Sequence, residues 1–367
     1  MKEVVLYEWT GARIARADFD AAAHHALGRL PRTAFRVRAL GDDVELHARA
    51  HVGRVQLGRL TVTVLPKVAD RILLRLLAYA YGLGDIKPFE DTHYARGALL
   101  QDLLCEQLRR QVTELLDRGL ERRYRRIALD LASPRGRLDV ATLARRMPLL
   151  RADLPCIDYT RSLDHILHRV LLAGLRLAGQ IARDPELRAQ LRELAARLGE
   201  DVTRVPLTRA QLDAAQRSLH RLVEHYRPAL RLVELLHAGG GFEVEGHDDP
   251  IAAPGFLFDM NRFFQTLVLQ LLREHLPGCE VEAERPLHGL YKWNGPSLPG
   301  RRAPLPRPDY TVTEAGRTAL LDAKYRDLSR TKLPREMLYQ LTVYAASRGP
   351  GGKIGRASCR ERVSLNV

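Results

Sequence analysis

Two carboxylates and one lysine near the end of the chain have the types and spacing of a hydrolytic site. They lie in Arg307-Pro308-Asp309-Tyr310 and in Leu320-Leu321-Asp322-Ala323-Lys324-Tyr325, a PD…DxK arrangement on two neighbouring hydrophobic stretches. Hydrolysing a phosphodiester requires a hard divalent cation held by oxygen ligands, charge stabilisation on the phosphate, and a water made nucleophilic near neutral pH. Asp309 and Asp322 supply the oxygens, which makes them the expected ligands of Mg²⁺. Lys324 follows Asp322 by two residues, so on a strand both side chains share a face, and the ammonium is placed to orient water or to stabilise phosphate charge. Ala323 is expected to turn into the core. The chain has only seven lysines and a single Pro-Asp pair, so the spacing is hard to reach by accident.

The elements that must position these groups read as helix, strand, strand, strand, helix. Asp259 to His275 is the first helix, Cys279 to Leu287, Pro308 to Thr313 and Thr318 to Lys324 the strands, and Pro334 to Ala346 the second helix. Acids on the second and third strands of an αβββα run are the arrangement of the PD-(D/E)XK nuclease core, an αβββαβ fold, so one more strand is expected. Upstream, residues 1–95 read as a β-rich domain: Val44, Leu46, Ala48, Ala50 and Val52 alternate with polar residues, and Gly53 and Gly58 permit turns before Leu60 to Val64. Pro66 ends that run, and a buried helix over Arg71 to Tyr79 follows. Residues 96–245 read as a helical bundle. Leu100, Leu104, Leu108, Val112 and Leu115 recur at helical steps before Gly119, Leu163 to Ala182 is another long helix, and Thr208 to Gln211 has capping-box spacing. Gly239-Gly240-Gly241 and the acidic 243–250 stretch mark the boundary to a nuclease domain over 246–352. The expected class is therefore α+β multidomain.

With 367 residues, 46% hydrophobic and 28% charged, the chain is sized for two or three globular domains and is neither disordered nor membrane-like. No apolar run is long enough for a bilayer span and Met1 to Val5 does not begin a signal peptide, so a cytoplasmic location is expected. Cys105, Cys156, Cys279 and Cys359 lack CxxC spacing, which argues against a disulfide framework and a structural zinc site. A net charge of +14 and a pI near 10.0 suit a polyanion such as DNA, although the excess of Arg over Lys also fits a GC-rich coding bias. Arg109-Arg110, Arg122-Arg123 and Arg125-Arg126 are either phosphate contacts or solvated faces. His165 and His168, three residues apart, read as structural in the absence of further metal ligands. Tyr79, Tyr81 and Tyr94 read as core or interface residues before base-stacking ones.

Longer stretches resemble the McrC family, the nuclease subunits of McrBC modification-dependent restriction systems. The similarity is carried by Val52 to Gly58 with Val64-Leu65-Pro66-Lys67-Val68, by Arg118 to Tyr124, by Arg135-Gly136-Arg137-Leu138-Asp139, and by Phe258 to Phe264. Gln340-Leu341-Thr342-Val343-Tyr344 is similar to the QxxxY helix of this family and of RecB-like nucleases. The resemblance implies a partner of the McrB type, an AAA+ GTPase that recognises 5-methylcytosine-type DNA, while the McrC subunit stimulates GTP hydrolysis and cuts. This chain has no GxxxxGK[S/T] loop, in keeping with GTP bound by the partner. The N-terminal domain is then the docking element, and the implied active site is Asp309, Asp322 and Lys324 with Gln340 and Tyr344 in support.

One position departs from the family. Phe264-Gln265 stands where many relatives have Phe-Glu, and a neutral amide is a weaker metal ligand. Glu282 and Glu284 are candidate substitutes, with a solvent-facing edge as the other reading. Ile354 to Val363 resembles a translated sequencing adapter, so 353–367 is expected to be a non-native tail and the nuclease core is expected to lack its last strand. Three functions are open at this point: the cutting subunit of a GTP-dependent restriction complex, a stand-alone RecB-like repair nuclease, and a catalytically inactive adaptor that stimulates the partner GTPase.

Overall fold

A computed structural model describes residues 2–83, 99–146, 153–240, 255–291, 305–325 and 334–349. The chain divides into two compact units, Met1–Leu74 with Gly82–Phe258, and Arg75–Tyr81 with Asp259–Val367. It is a mixed α/β protein with several small sheets.

The first unit begins with β1 (Lys2–Tyr7), β2 (Gly11–Ala15), α1 (Ala21–Gly28), β3 (Phe35–Leu40), β4 (Asp43–Ala48), β5 (His51–Leu57) and β6 (Leu60–Leu65). One antiparallel sheet has the order β2-β4-β3; in another, β1 runs parallel to β6 and β6 antiparallel to β5. The alternation legible in the sequence is the alternation of burial. Val44, Leu46 and Ala48 turn inward on β4 while their neighbours are half-exposed, so the period-two pattern chooses the face that packs on Leu6, Ile14, Phe19, Leu57 and Val62. Asp20 starts α1 by accepting the Ala23 N–H at 2.7 Å. Gly58, at φ +58, closes the β5–β6 turn as expected.

After α2 (Asp70–Tyr81), which spans both units, come α3 (Leu100–Arg118), β7 (Arg123–Leu131), β8 (Arg137–Leu138), α4 (Val140–Arg146), β9 (Leu154–Ser162), α5 (Ile166–Ile181), α6 (Pro185–Leu198), α7 (Arg209–Arg217) and α8 (Arg227–Gly240). The apolar stripe of α3 is buried, from Leu100 through Leu104, Leu108 and Val112 to Leu115, and Gly119 ends it at φ +87. Thr208 caps α7 through the Gln211 N–H at 3.3 Å. The helical reading fails between α3 and α5, where β7, β9 and β8 form an antiparallel sheet in the order β7-β9-β8. Arg123, Arg125 and Arg126 therefore lie on a strand, not on a helix face. Most of β7 is exposed on both sides, so it lacks the apolar alternation by which a half-buried strand is recognised.

At the root of that sheet His168 is fully buried. One ring nitrogen, Nδ1, lies 2.7 Å from the Leu163 carbonyl and the other 3.0 Å from the Tyr226 hydroxyl, whose oxygen accepts the Glu121 N–H at 3.0 Å. That chain requires a neutral ring with its proton on Nδ1. Burial, aided by neighbouring His165, pushes His168 down to about 4. Because the folded value lies below that of the unfolded chain, the stabilisation is complete above about pH 6.5 and is lost as pH falls toward 4, about 3 kcal/mol in all. Unfolding measured between pH 7 and 4 is expected to weaken by that much more in the natural chain than in His168→Asn; equal slopes would remove His168 as the cause.

The second unit contains residues Arg75–Tyr81 of α2, then α9 (Met260–His275), β11 (Glu280–Ala283), β12 (Tyr310–Glu314), β13 (Arg317–Leu321) and α10 (Arg335–Ala346). Just before α9, β10 (Phe256–Asp259) completes the first unit's sheet, in the order β1-β6-β5-β10. This strand explains Gly53, which lies inside β5 and not in a turn. Its φ is +135, and a Cβ there would meet the Phe256 carbonyl oxygen at 2.1 Å. In the second unit Asp259 caps α9 through the N–H groups of Asn261 and Arg262, and Met260, Phe263 and Leu267 form its buried face. The Tyr79 hydroxyl bonds Glu274, and the Tyr81 ring stacks on Phe263 at 6.4 Å, so both tyrosines serve packing. Tyr94, residues 241–254, the strand expected after Ala346 and the 353–367 tail lie outside the described residues.

Candidate active site

The two acids meet because of a hairpin. β12 and β13 pair antiparallel with Glu314 opposite Arg317 and Tyr310 opposite Leu321. The intervening Ala315 and Gly316 both have positive φ, +46 and +79, the requirement of a tight two-residue turn whose twist matches its strands. The same register, continued one step, sets Asp309 against Asp322. One step further is Pro308 opposite Ala323, and a proline cannot donate to the ladder. This accounts for β13 ending at Leu321, earlier than expected.

The Ala323 N–H is used differently: it donates to Asp309 Oδ2 at 2.6 Å. Ala323 is half-buried rather than a core residue. The other oxygen, Asp309 Oδ1, accepts from Gln265 Nε2 on α9 at 2.8 Å. Burial and the nearby Asp322 charge raise Asp309 from its ordinary value, opposed by the Ala323 N–H, Lys324 and Gln265. Asp322 is held from two sides as well. Lys324 Nζ lies 2.6 Å from its Oδ2, and Gln340 Nε2 donates to its Oδ1 at 3.1 Å. Although neither is on a strand, Asp322 and Lys324 do face the same way.

Gln340 and Tyr344 are four apart on α10 and so share a helix face. Gln340 Nε2 also reaches the Tyr344 hydroxyl at 2.8 Å, which donates onward to the Arg307 carbonyl at 2.9 Å. Burial and the charges of Asp322 and Asp309 push Tyr344 up to about 12, against the Gln340 contact, so it stays a donor throughout the working pH range. A second strut is Tyr310, buried beside Asp309, whose hydroxyl donates to the Gln265 carbonyl at 2.7 Å. The five expected residues thus fall into two adjoining hydrogen-bonded sets, Asp309 with Gln265 and the Ala323 N–H, and Asp322 with Lys324, Gln340 and Tyr344.

Sequence reasoning missed the Ala323 N–H, the Arg307 carbonyl and the Tyr310 hydroxyl. Main-chain groups carry no sequence signal, but Tyr310 lay in plain view beside the motif. The proposed substitutes do not join the site. Glu282 pairs with Arg285 at 2.6 Å, Glu284 is exposed, and among the described residues no third acid, His or Cys completes a metal-binding cluster. His165 and His168 are likewise outside any such cluster. Arg109 and Arg110 both bond Glu106 at 2.7 Å, and Arg125 lies 3.6 Å from Asp164, so these arginines are engaged within the fold. Cys105, Cys156 and Cys279 are free thiols, the first two buried.

The donor set fits a hard divalent cation. Among the described residues, each of the four carboxylate oxygens accepts one hydrogen bond, and a carboxylate oxygen has a further lone pair to offer a metal. Mg²⁺ is commonly held by one or two carboxylates, with water and substrate phosphate completing its shell. Two acids forced together, one with its charge disfavoured, are also the electrostatic setting that a cation relieves.

Comparison with known proteins gives the family. The profile described as "McrBC 5-methylcytosine restriction system component" matches residues 46–351, and the chain belongs to that family. Among solved structures, it is similar to a chain of the half-complex from the tetradecameric assembly of Thermococcus gammatolerans McrB AAA+ hexamers with bound McrC. The TM-score is 0.61 at 22% identity, covering 94% of this chain and 84% of that one. A chain of the Thermococcus gammatolerans McrBC complex aligns with TM-score 0.52 and 19% identity over 75% of this chain and 88% of that one. No curated protein matches. Among the described residues, no helix is long and apolar enough to cross a membrane.

Proposed function

We propose that this chain is the DNA-cleaving subunit of a modification-dependent restriction complex, working with an McrB-type AAA+ GTPase that binds the GTP and whose hydrolysis it stimulates. The carrying observation is the facing pair of held acids: Asp309 fixed by Gln265 and the Ala323 N–H, and Asp322 fixed by Lys324 and by Gln340, which Tyr344 braces. In this reading the second unit is a PD-(D/E)XK core, and its substrate is DNA carrying 5-methylcytosine. Family membership and likeness to structures that contain McrB and McrC support it. The net charge of +14 suits a polyanionic substrate.

Asp309 and Asp322 would hold Mg²⁺, which supplies Lewis-acid polarisation of the phosphate and makes water acidic enough to attack near neutral pH. The chain's own groups do the positioning. Gln265 and the Ala323 N–H fix both oxygens of Asp309, and Gln340, braced by Tyr344, fixes Asp322. Lys324 pairs with Asp322 at 2.6 Å, and its remaining N–H donors would be available to a bound phosphate, where they would stabilise developing negative charge. Water would add to phosphorus as one P–O ester bond breaks, the proton it loses ending on the departing oxygen, to give a phosphate monoester and a hydroxyl.

The test combines the full chain with an McrB-type GTPase, GTP, Mg²⁺ and methylated DNA. Cutting is expected only with every component present and is expected to stop with EDTA. Cleavage by the chain alone would favour a stand-alone repair nuclease, and GTPase stimulation without Mg²⁺-dependent cutting would favour an adaptor. Gln340→Ala is expected to slow cleavage about tenfold, the worth of one hydrogen bond to a charged group. An unchanged single-turnover rate would show that α10 does not hold Asp322 during the reaction.

A further inference from the structure

We propose that Gln265 is a positioning residue for Asp309 and that the site therefore takes one divalent cation, not two. This rests on the metal-nuclease reading above. The geometry is specific about which end of the amide faces the site. Gln265 directs its NH₂ group to Asp309 Oδ1 at 2.8 Å, so it acts as a donor to a carboxylate. Its own backbone carbonyl accepts the Tyr310 hydroxyl at 2.7 Å, and Tyr310 adjoins Asp309 in sequence and is buried. Residue 265 is thus tied to residues 309 and 310 by both its side chain and its main chain, which leaves the amide little freedom to turn its oxygen toward a metal.

Ligand count decides the rest. A divalent cation held by Asp309 and Asp322 meets two negative charges, one of them already shared with Lys324 at 2.6 Å. A second cation a few ångströms away needs further anionic oxygen. Among the described residues none exists, since no third Asp or Glu joins the pair. A glutamate at position 265 would change this by replacing the donor with an acceptor, placing a third carboxylate against Asp309. The neutral amide keeps Asp309 oriented without adding charge.

The experiment is Mn²⁺ binding to the full-length chain, read by electron paramagnetic resonance and calorimetry as the difference from an Asp309→Asn/Asp322→Asn double variant, which subtracts surface sites. One Mn²⁺ per chain is expected in the natural protein. Gln265→Ala is expected to keep that stoichiometry and weaken binding severalfold as Asp309 loses its tether. Gln265→Glu is expected to bind a second Mn²⁺ or to bind the first at least tenfold more tightly, and to show a larger Mn²⁺-induced rise in melting temperature. Two Mn²⁺ ions in the natural chain would overturn the single-cation inference while leaving the nuclease reading intact. No Mn²⁺ lost in the double variant would overturn both. A Gln265→Ala chain that binds Mn²⁺ as tightly as the natural one would remove the positioning role.

Discussion

Asp322→Asn is expected to reduce DNA cleavage by about a thousandfold, the kinetic equivalent of several kcal/mol of lost charge stabilisation at a metal-assisted centre. The substitution is close to isosteric, but it removes the charge that Lys324 meets at 2.6 Å and sets an amide donor or a neutral oxygen against an ammonium. Gln340 retains an oxygen to bond, so α10 keeps its anchor. The fold should therefore survive, and removing one of two facing acids relieves the like-charge repulsion at Asp309. Single-turnover cleavage with the complete complex, alongside thermal unfolding of the variant, separates the two effects. A folded variant that cuts within tenfold of the natural chain would take Asp322 out of the active site.

The other large effect lies far from the chemistry. Gly53→Ala is expected to cost about 4 kcal/mol, combining a backbone conformation that strongly favours glycine with a steric clash, and to lower the melting temperature by roughly 10 °C. At φ +135 a side chain is strained wherever it sits, and the added carbon would lie 2.1 Å from the Phe256 carbonyl oxygen. Phe256 is itself fully buried, so β10 has no room to retreat. Gly28→Ala provides the control, because nothing lies within 4 Å of a Cβ there. Its expected shift is within about 0.5 kcal/mol of zero. Should Gly53→Ala melt within a degree or two of the natural protein, the close approach of β5 and β10 would not exist in solution.

These two positions mark the limits of what the sequence tells. The candidate trio Asp309, Asp322 and Lys324 was legible because it is local. A Pro-Asp pair, a short turn and an Asp-x-Lys unit need only one hairpin, and antiparallel pairing from that turn brings the acids together. Gln340 and Tyr344 were named through the resemblance to the QxxxY helix, and their four-residue spacing is what sets them on one face of α10. What was lost depended on partners remote in the chain. Gly53 reads as a turn until β10, some two hundred residues later, is seen beside it. The strand β7 reads as helix because arginines and a tyrosine occupy its exposed faces, and its pairing with β9 leaves no hydrophobic signature. The Ala323 N–H was invisible because the sequence does not show where a ladder stops. Its use became clear only once Pro308 was found opposite it.

The two-residue turn at Ala315-Gly316 has an evolutionary consequence. It makes the separation of Asp309 and Asp322 along the chain a matter of parity. Two residues added to each of β12 and β13 between the turn and the acids lengthen the hairpin and keep the acids opposite each other on the same face, whereas one added to each keeps them opposite but turns both to the other face of the sheet. A single residue added to one strand alone slips the ladder and sets Asp309 against the wrong neighbour unless a bulge absorbs it. Hairpin length is therefore free to drift only in steps of two residues per strand if the acids are to keep their partners, and length variants that break the pairing or turn the acids over are the ones selection is expected to remove.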